Sequence, residues 1–496
     1  MMNFDVIELH EMDICKDAAH MLGYELCKRY TALPIKREDN ILFVAMASVH
    51  QSYLCDIFDA TGCYVVPWLA KEAEIHYFVN AIFSDEHVQT VASQFLVDER
   101  LRHVKFTDEN LLKEIQNAPA VKLLDSLIDT GIAKRASDIH IEPFGNVLRA
   151  RYRIDGKLIT FTEVDVKLLP NIISRLKIMG NMDIAETRFP QDGHFTYTEQ
   201  FDRQIEFRVS TLPTASGEKA AIRLLYGSTS RMHKNELGFF QEDLTVLDEL
   251  FGQPHGAIFM TGPTGSGKST TLNCFLESLN SAEKNIITVE QPVEHPIMGV
   301  NHLNIEKSAG LSFGNALKHI LRQDPDIIMI GEMRDEETAH IAIQAAITGH
   351  VVLSTLHTND AAGVIERLLD MGIPAYLVAS SVCGVISQRL VRKICDDCIV
   401  NTYLTDAQAT ALSLDARTEV FYGTGCAKCN DTGYKGRFAV YEYFILNDAL
   451  RHEISHDPNE FAIRQRAKKL LKQNAIKNLL MGRTTAEEVL TVIAHE

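Results

Sequence analysis

The chain has 496 residues, of which 46% are hydrophobic and 23% are charged, the composition of a soluble globular protein. Its length exceeds what one hydrophobic core supports, and about three domains are expected at roughly 150 residues each. The formal net charge of −17 argues against a surface that grips nucleic acid generally, because phosphate contacts need clustered lysine and arginine. The N-terminal stretch lacks the basic start and apolar core of a signal peptide, and no apolar run is long enough to predict a membrane span.

Residues 1–100 are predicted to form a small α+β domain, which a polar and charged linker over 101–117 follows. The predicted strands of this domain cover 41–46 and 63–67, and its predicted helices cover 51–61 and 71–83. No catalytic constellation occurs in this part of the sequence. A docking or regulatory role and a purely structural role therefore both remain open.

Residues 118–228 are predicted to form a second α+β domain, and 229–240 a second linker with the composition of a flexible joint. The predicted elements are strands over 137–142, 148–154, 203–209 and 218–225, a helix over 170–182, and a turn over 210–217. Arg208 and Arg223 lie near the ends of two of these strands. Arginines on strands usually face solvent, and the pattern alone weighs that reading equally with a functional one.

Residues 241–394 alternate apolar strands with amphipathic helices. The predicted strands cover 257–261, 286–290, 327–331 and 351–355, and the predicted helices cover 269–280, 313–321, 336–347 and 360–369. This alternation predicts an α/β fold, with a parallel sheet that helices cover on both faces.

A complete phosphate-loop motif, G-x-x-x-x-G-K-S, lies between the first of these strands and the first of these helices. Its glycines let successive N–H groups turn toward phosphate oxygens, and the helix that follows adds the positive end of its dipole. Lys268 would reach the β- and γ-phosphates, and the Ser269 hydroxyl would help to hold Mg²⁺. The residues predicted to contact the nucleotide are Gly262, Pro263, Thr264, Gly265, Ser266, Gly267, Lys268, Ser269 and Thr270. The sequence therefore predicts binding of a nucleoside triphosphate.

Two further strands end in acidic residues. One ends at Glu332 in the layout of a Walker B segment, and the other ends at Glu290 and is followed by Glu294. Both strands are expected to lie beside the phosphate-loop strand, so that their carboxyl ends meet at the phosphate crevice. A third strand has histidines at both ends, and the pattern alone does not decide whether His357 is structural or senses the γ-phosphate.

Two C-x-x-C pairs lie near the C-terminus, Cys395 with Cys398 and Cys426 with Cys429, and 27 residues separate them. Four thiolates suit tetrahedral Zn²⁺, and a complete set leaves no open position, so a structural site is predicted. The long spacer leaves room for a small inserted element. This tetracysteine module is predicted over 395–440, and a helical region over 441–496.

Four segments resemble the nucleotide boxes of the secretion ATPases, the hexameric motors of type II secretion and type IV pilus assembly. These segments are 262–269, 288–294, 322–335 and 348–359. Four others match the second domain of that family, namely 136–143, 190–193, 208–213 and 217–225. The similarity covers roughly residues 117 to 496. It implies a RecA-like P-loop ATPase domain, preceded by an α+β, PAS-like domain and a small N-terminal α+β domain, with a zinc-binding, helix-rich region at the C-terminus.

The resemblance also implies roles for individual residues in Mg²⁺-dependent ATP hydrolysis. Glu294 would position or deprotonate the attacking water, and Glu332 would be the Walker B carboxylate. His357 would be the residue of the histidine box. Arg208 and Arg223 would reach the γ-phosphate as arginine fingers.

Residue 291 departs from the family pattern. The family usually has aspartate where this chain has Gln291, which cannot replace a carboxylate as a metal ligand. Because Glu294 is retained, ATP hydrolysis is expected to survive with an altered dependence on Mg²⁺.

The resemblance implies a cytoplasmic motor at the inner face of the membrane. Its implied partners are other copies of itself in a six-fold ring, an inner-membrane platform protein and a cytoplasmic-facing membrane adaptor, with pilins or pseudopilins moved indirectly. The cysteine module favours an assembly motor over a retraction motor. Secretion, pilus assembly and DNA uptake all remain open.

Two other classes remain as alternatives, a nucleic-acid translocase and a nucleotide-gated scaffold without turnover. The net charge counts against the translocase, and no direct contact with nucleic acid is expected. The N-terminal domain loosely resembles domains of the family that bind a cyclic dinucleotide through Arg-Leu-Gly repeats. Residues 1–40 contain no such repeat, so docking to a membrane partner is predicted there instead.

Overall fold

The computed structural model describes residues 7–9, 12, 14–83, 119–198, 204–226, 232–305, 311–429, 431–456 and 471–494. The chain divides into two compact units, Met1–Gly227 and Ser228–Glu496. The predicted linker over 101–117, residues 229–231 of the second linker and residues 457–470 of the predicted C-terminal helical region lie outside the described residues. Within the described ranges, no helix has the length and apolarity needed to span a membrane.

The first unit begins with a three-stranded sheet and four helices. These are α1 (Lys16–Leu22), α2 (Tyr24–Tyr30), β1 (Ala32–Glu38), β2 (Ile41–Met46), α3 (Gln51–Thr61), β3 (Tyr64–Leu69) and α4 (Glu72–Ile82). The order is β1-β2-β3, with β1 antiparallel and β3 parallel to β2. The predictions for β2, α3, β3 and α4 are confirmed. The sequence did not predict β1 because its first four residues are all buried and its last three all exposed, which hides the period-2 pattern.

The rest of the first unit is a six-stranded antiparallel sheet with two helices on one face. Its elements are α5 (Pro119–Ala133), β4 (Asp138–Phe144), β5 (Val147–Ile154), β6 (Lys157–Asp165), α6 (Leu169–Met179), β7 (Gln191–Thr198), β8 (Gln204–Thr214) and β9 (Gly217–Leu225). The strand order is β6-β5-β4-β9-β8-β7. Leu124 of α5 and Ile172 of α6 pack with Ile139 and Ile222 of the sheet. The opposite face carries ion pairs such as Glu142 with Arg151.

The turn predicted over 210–217 is wrong. Strand β8 continues to Thr214, β9 begins at Gly217, and a two-residue turn joins them. Pro213 lies in β8 at the hairpin end, where a strand tolerates a residue without an N–H group. Two strands that no prediction included, β6 and β7, form the edges of the sheet.

The second unit contains the predicted α/β sheet. Its elements are α7 (Gln241–Phe251), β10 (Gly256–Thr261), α8 (Lys268–Leu279), β11 (Ile286–Glu290), β12 (Asn301–Asn304), α9 (Phe313–Ile320), β13 (Ile327–Ile330), α10 (Glu336–Ile347), β14 (Val351–Leu356), α11 (Ala362–Asp370), α12 (Ala375–Ser381) and β15 (Val382–Ile394). The described part of the second linker, residues 232–240, contributes Leu237 and Phe239 to the core of this unit.

The cysteine module and the C-terminal region follow. Their elements are β16 (Ile399–Tyr403), α13 (Asp406–Leu412), β17 (Glu419–Gly423), β18 (Tyr434–Ile445), α14 (Asp448–His456) and α15 (Ala486–Ala494), and residues 471–480 are also helical. Strands β16 and β17 form an antiparallel hairpin with α13 between them, which is the inserted element that the long spacer predicted. Strand β18 begins inside the module and runs past residue 440 into the main sheet.

The main sheet has the order β12-β11-β13-β14-β10-β15-β18, and β18 is antiparallel to its neighbour. Successive residues of β10 enter two different cores: Phe259 packs with α10 and α11 on one face, and Met260 with α7 and α8 on the other. The prediction of a parallel sheet covered on both faces is therefore confirmed. The prediction that the strands ending near Glu290 and Glu332 flank the phosphate-loop strand is wrong, because β14 and β15 flank it.

The turn from β10 to α8 requires glycine for its backbone conformation, and the packing of β15 against this turn also leaves no room for a side chain at Gly262 and Gly267. Gly265 and Gly267 have φ of 80° and 84°, a region that disfavours other residues. A Cβ at Gly265 would point into open space, whereas one at Gly267 would lie 2.8 Å from Nε2 of Gln388 in β15. A Cβ at Gly262 would overlap the Gln388 carbonyl oxygen. Strand β15 therefore packs directly against the phosphate loop.

Gly265→Ala and Gly267→Ala form a matched pair that tests this contact. Both introduce the same left-handed strain, about 1–2 kcal/mol. Gly267→Ala must also displace a buried amide, so we expect it to lower the free energy of unfolding by about 2 kcal/mol more. Urea denaturation of the two variants measures the difference. Equal destabilisation would show that β15 does not constrain the loop.

Candidate active site

Lys268 is the first residue of α8, and its side chain folds back over the loop. Its Nζ donates to the Gly262 carbonyl at 2.7 Å and to the Pro263 carbonyl at 3.1 Å. The pKa of Lys268 is lowered to about 8, mainly by burial and also by the Arg389 cation, while the Glu332 carboxylate opposes both effects. The ammonium group is thus held at the mouth of the loop, close to a second cation.

The loop fits a phosphate group. The Ser266 hydroxyl is buried and faces the Cβ position of Gly262, and it has no hydrogen-bond partner among the described residues. Ser269 and Thr270, in contrast, are exposed in the first turn of α8. A helix N-terminus with an unsatisfied hydroxyl and a nearby ammonium group is suited to bind an anion.

Glu332 and His357 lie next to this lysine. Glu332 follows β13, and its carboxylate lies 2.5 Å from the guanidinium of Arg334 and 3.8 Å from Nε2 of His357. Burial lowers the pKa of His357, and the charge of Lys268 lowers it further. The imidazole is therefore neutral near pH 7. The structure thus brings together Lys268, Glu332 and His357, which were separate predictions from the sequence.

Glu294 is not part of this cluster. It is exposed on the loop after β11, at the same edge of the sheet as the phosphate loop. Strand β11 lies three positions from β10, or about 14 Å at about 4.8 Å per strand. Gln291 lies on the same loop and is half-buried.

His302 on β12 holds that loop, a role that the sequence did not predict. Its Nε2 accepts from the Ile297 N–H at 2.9 Å, so the ring proton is on Nδ1. Nδ1 lies 3.0 Å from Oε1 of Glu290 and 2.8 Å from the Thr288 hydroxyl. The buried Glu290 is therefore a structural partner of His302. A lone histidine on an edge strand gives no sequence signal for such a pair.

Gln388 and Arg389 of β15 also border the phosphate loop, and sequence reasoning missed both. Both are buried, although each carries a polar group. A glutamine followed by an arginine within an apolar strand is the signal that could have identified them, because such residues need partners when they are buried.

Arg208 and Arg223 lie in the first unit, opposite each other on β8 and β9. Arg223 is exposed, and its Nε lies 3.0 Å from the Asp138 carboxylate. Arg153 approaches the same carboxylate at 3.5 Å. The two predicted arginine fingers therefore share one charged sheet face.

The four cysteines of the module converge. Their sulfur atoms all lie within 4.8 Å of one another, and three of the pairs are 3.7–3.9 Å apart. Tetrahedral Zn–S bonds of about 2.3 Å place neighbouring sulfurs about 3.8 Å apart. Burial works against a thiolate at Cys429, but N–H groups of Cys426 and Gly433 point at its sulfur and bring its pKa to about 7. The donor set and its spacing fit zinc.

Comparison with known proteins finds matches for the N-terminal domain and for the rest of the chain. Residues 113–491 match the family model described as type II/IV secretion system protein, and residues 2–89 match the MshEN domain. The chain is 43% identical to the type II secretion system protein E of Dickeya dadantii (strain 3937) over 391 residues, which are 78% of each chain. It is 37% identical to the type IV pilus assembly ATPase PilB of Myxococcus xanthus (strain DK1622) over 500 residues, covering 98% of this chain and 88% of PilB.

Solved structures agree with the fold. The pilus retraction motor PilT with bound ADP is 26% identical and superposes with a TM-score of 0.51, covering 75% of this chain and 96% of PilT. The ATPase DotB of Legionella pneumophila is 20% identical with a TM-score of 0.55, covering 75% of this chain and 95% of DotB. These matches confirm the RecA-like fold. The chain therefore belongs to the type II/IV secretion system protein family.

Proposed function

We propose that this protein is an ATP-hydrolysing motor that powers assembly of pilin or pseudopilin fibres, in type II secretion or type IV pilus biogenesis. The observation that carries the proposal is the convergence of Lys268, Glu332 and His357 on one phosphate loop, in a member of this family. A scaffold without turnover has no need for a lysine, a carboxylate and a neutral imidazole at the same edge of the sheet.

The loop would bind the nucleotide through its N–H groups, and Lys268 would exchange its two carbonyl partners for phosphate oxygens. Ser269 is exposed in the first turn of α8, where its hydroxyl would help to hold Mg²⁺. Glu332 would orient the water shell of that ion from the neighbouring loop. The metal, when bound, neutralises charge on the phosphates that are being separated.

Glu294 would orient or deprotonate the attacking water, which requires the loop after β11 to turn toward the phosphate loop. Because the Glu294 side chain is exposed, burial does not hold it in its present position on the loop. His357, neutral and half-exposed beside Glu332, would donate a hydrogen bond to the γ-phosphate. The carboxamide of Gln291 would leave the metal with less negative charge than the usual aspartate.

Arg208 and Arg223 would act on the γ-phosphate of a bound nucleotide. Arg223 is held by Asp138, so it would exchange one anionic partner for another. Because surface ion pairs contribute only about 0–1 kcal/mol, this exchange costs little.

The cysteine module would hold one structural Zn²⁺ through Cys395, Cys398, Cys426 and Cys429. Zinc, when bound, links the end of β15 to the turn before β18. We further propose a six-fold ring at the cytoplasmic face of the membrane, which acts on an inner-membrane platform protein and docks to a membrane adaptor through the domain at residues 1–100.

Glu294→Gln tests the assignment of the general base. We expect kcat for ATP hydrolysis to fall at least about a hundredfold with nucleotide affinity unchanged, because the amide keeps the shape of the side chain but cannot accept the proton. Phosphate release and nucleotide titration measure the two quantities. Glu283→Gln, an exposed carboxylate at the opposite end of β11, is the matched control. Wild-type turnover in Glu294→Gln would transfer the base role to Glu332.

The zinc proposal predicts one zinc ion per chain in the purified, reduced protein. Cys426→Ser should lose the metal and lower the melting temperature, because a hydroxyl is a poor replacement for a thiolate ligand. Cys274→Ser alters a buried cysteine outside the cluster and should keep the metal. Elemental analysis gives the zinc content, and its absence from the wild type refutes the site.

The choice of partner is tested by purifying the tagged protein from native membranes and identifying what accompanies it by mass spectrometry. We expect a polytopic membrane protein together with pilins or pseudopilins, and more of both with Glu294→Gln, which should hold its nucleotide longer. Recovery of nucleic acid without membrane proteins would contradict the motor and favour a translocase.

A further inference from the structure

Strand β15 runs beside the phosphate loop, on the side away from β14. The parallel register sets Ser387 opposite Thr261, the last residue of β10, so the next residues of β15 extend alongside the loop. These are Gln388 and Arg389, with only 1% and 6% of their surface exposed. Such residues are costly to bury unless their polar atoms find partners, so their contacts indicate what they hold.

The Gln388 amide joins the loop to the helix that follows it. Its Nε2 donates to the Ser266 carbonyl at 2.7 Å, and its Oε1 accepts from the Thr271 hydroxyl at 2.9 Å. Gly267 has no side chain, which leaves room for this amide. Gln388 therefore bonds to residues on both sides of Lys268, the Ser266 backbone and the Thr271 side chain.

The Arg389 guanidinium joins β15 to the loop after β14. One nitrogen donates to the Gln388 carbonyl at 3.2 Å, and another donates to the Asn359 carbonyl. Asn359 lies two residues beyond His357, whose imidazole is beside Glu332. Because a guanidinium donates in a rigid planar fork, Arg389 sets the spacing of the two backbones as well as the local charge.

We propose that Gln388 and Arg389 are positioning residues that couple the phosphate loop to the loop carrying His357. The inference rests on the proposed nucleotide site and deepens it, because it identifies residues that set how the site distinguishes a triphosphate from a diphosphate. Gln388 holds the phosphate loop, which would contact the phosphates that ATP and ADP share. Arg389 holds the His357 loop, which would face the γ-phosphate.

A purely structural role would give a different result. If these residues only complete the core at the end of β15, their substitution would lower the melting temperature and would weaken ATP and ADP binding in equal proportion. The coupling instead predicts that the two positions affect the two nucleotides differently. At Arg389 the ratio of triphosphate to diphosphate affinity therefore separates the two interpretations, and at Gln388 the comparison with a buried amide that does not contact the phosphate loop separates them.

The experiment compares Gln388→Met with Arg389→Lys by calorimetric titration of ADP and of a non-hydrolysable ATP analogue, each with Mg²⁺. Gln388→Met removes both amide contacts at similar length, and both affinities should fall about tenfold. Arg389→Lys keeps the charge but cannot span two carbonyls, so the analogue should bind about tenfold more weakly while ADP changes less than about twofold. Equal losses for both nucleotides in Arg389→Lys would overturn the coupling.

Asn478→Leu is the matched control. Asn478 is a buried amide bonded at both ends, to the Asn474 carbonyl and to Arg483. Its contacts do not include the phosphate loop among the described residues, so its substitution should leave both affinities at wild-type values. If Asn478→Leu weakens the nucleotides as much as Gln388→Met does, then Gln388 acts through general stability, and its assignment is overturned.

Hydrogen exchange of the nucleotide-free protein tests the coupling without any ligand. Arg389→Lys should speed amide exchange in the His357 loop, 357–360, and Gln388→Met should speed it in the phosphate loop, 262–267, while Asn478→Leu should speed neither. Wild-type rates in both loops would overturn the inference. A wild-type protein that binds neither nucleotide would refute the proposed function, and the exchange rates would still decide the coupling.

Discussion

The parallel pairing of β10 with β14 and β15 is the constraint on which the site depends. It brings the phosphate loop, the His357 loop and the polar residues of β15 to one edge of the sheet. The same pairing removes the space for side chains at Gly262 and Gly267, because β15 fills it. Glycine is therefore required at these two positions for two reasons: the turn itself needs it, and the neighbouring strand leaves no room for a side chain. A loop fixed in this way is preorganised, so little reorganisation is needed when phosphates arrive.

The net charge of the chain is a poor guide to the electrostatic potential at the phosphate loop. The chain carries −17 overall, yet the phosphate loop has Lys268 and Arg389 close together, with Glu332 as the carboxylate that acts on Lys268. Two neighbouring cations repel each other in a buried place, and an anion between them relieves that repulsion. The overall charge argues against a broad nucleic-acid surface, whereas the local arrangement favours a compact polyanion.

The sequence predicted the chemistry of the site better than its layout. The structure places Glu332 near Lys268 of the phosphate loop and brings the four predicted cysteines together, and each of these motifs combines residue types that the predicted chemistry demands at a fixed spacing. The order of the strands was not predicted correctly. Parallel strands such as β11, β13 and β14 are mostly apolar and buried along their whole length, so no local pattern indicates which of them lies beside β10. Gln388 and Arg389 interrupt the apolar run of β15, which could have marked them as polar groups that need partners, but only the pairing of β15 with β10 shows that these partners lie at the phosphate loop.

Strand β15 connects the phosphate loop to the cysteine cluster within the second unit. Its one side pairs with β10 at the phosphate loop, its other side pairs with β18, and Cys395 follows its last residue directly. Cys426 and Cys429 lie shortly before β18, which begins at Tyr434. A metal held by these cysteines would therefore fix the ends of two adjacent, hydrogen-bonded strands, one of which carries Gln388 and Arg389. Because cores are close-packed and transmit strain, a closed zinc site at one end of β15 would steady the register of that strand against the phosphate loop. With zinc bound, the cysteine module would therefore support the proposed active site and would not be a separate appendage.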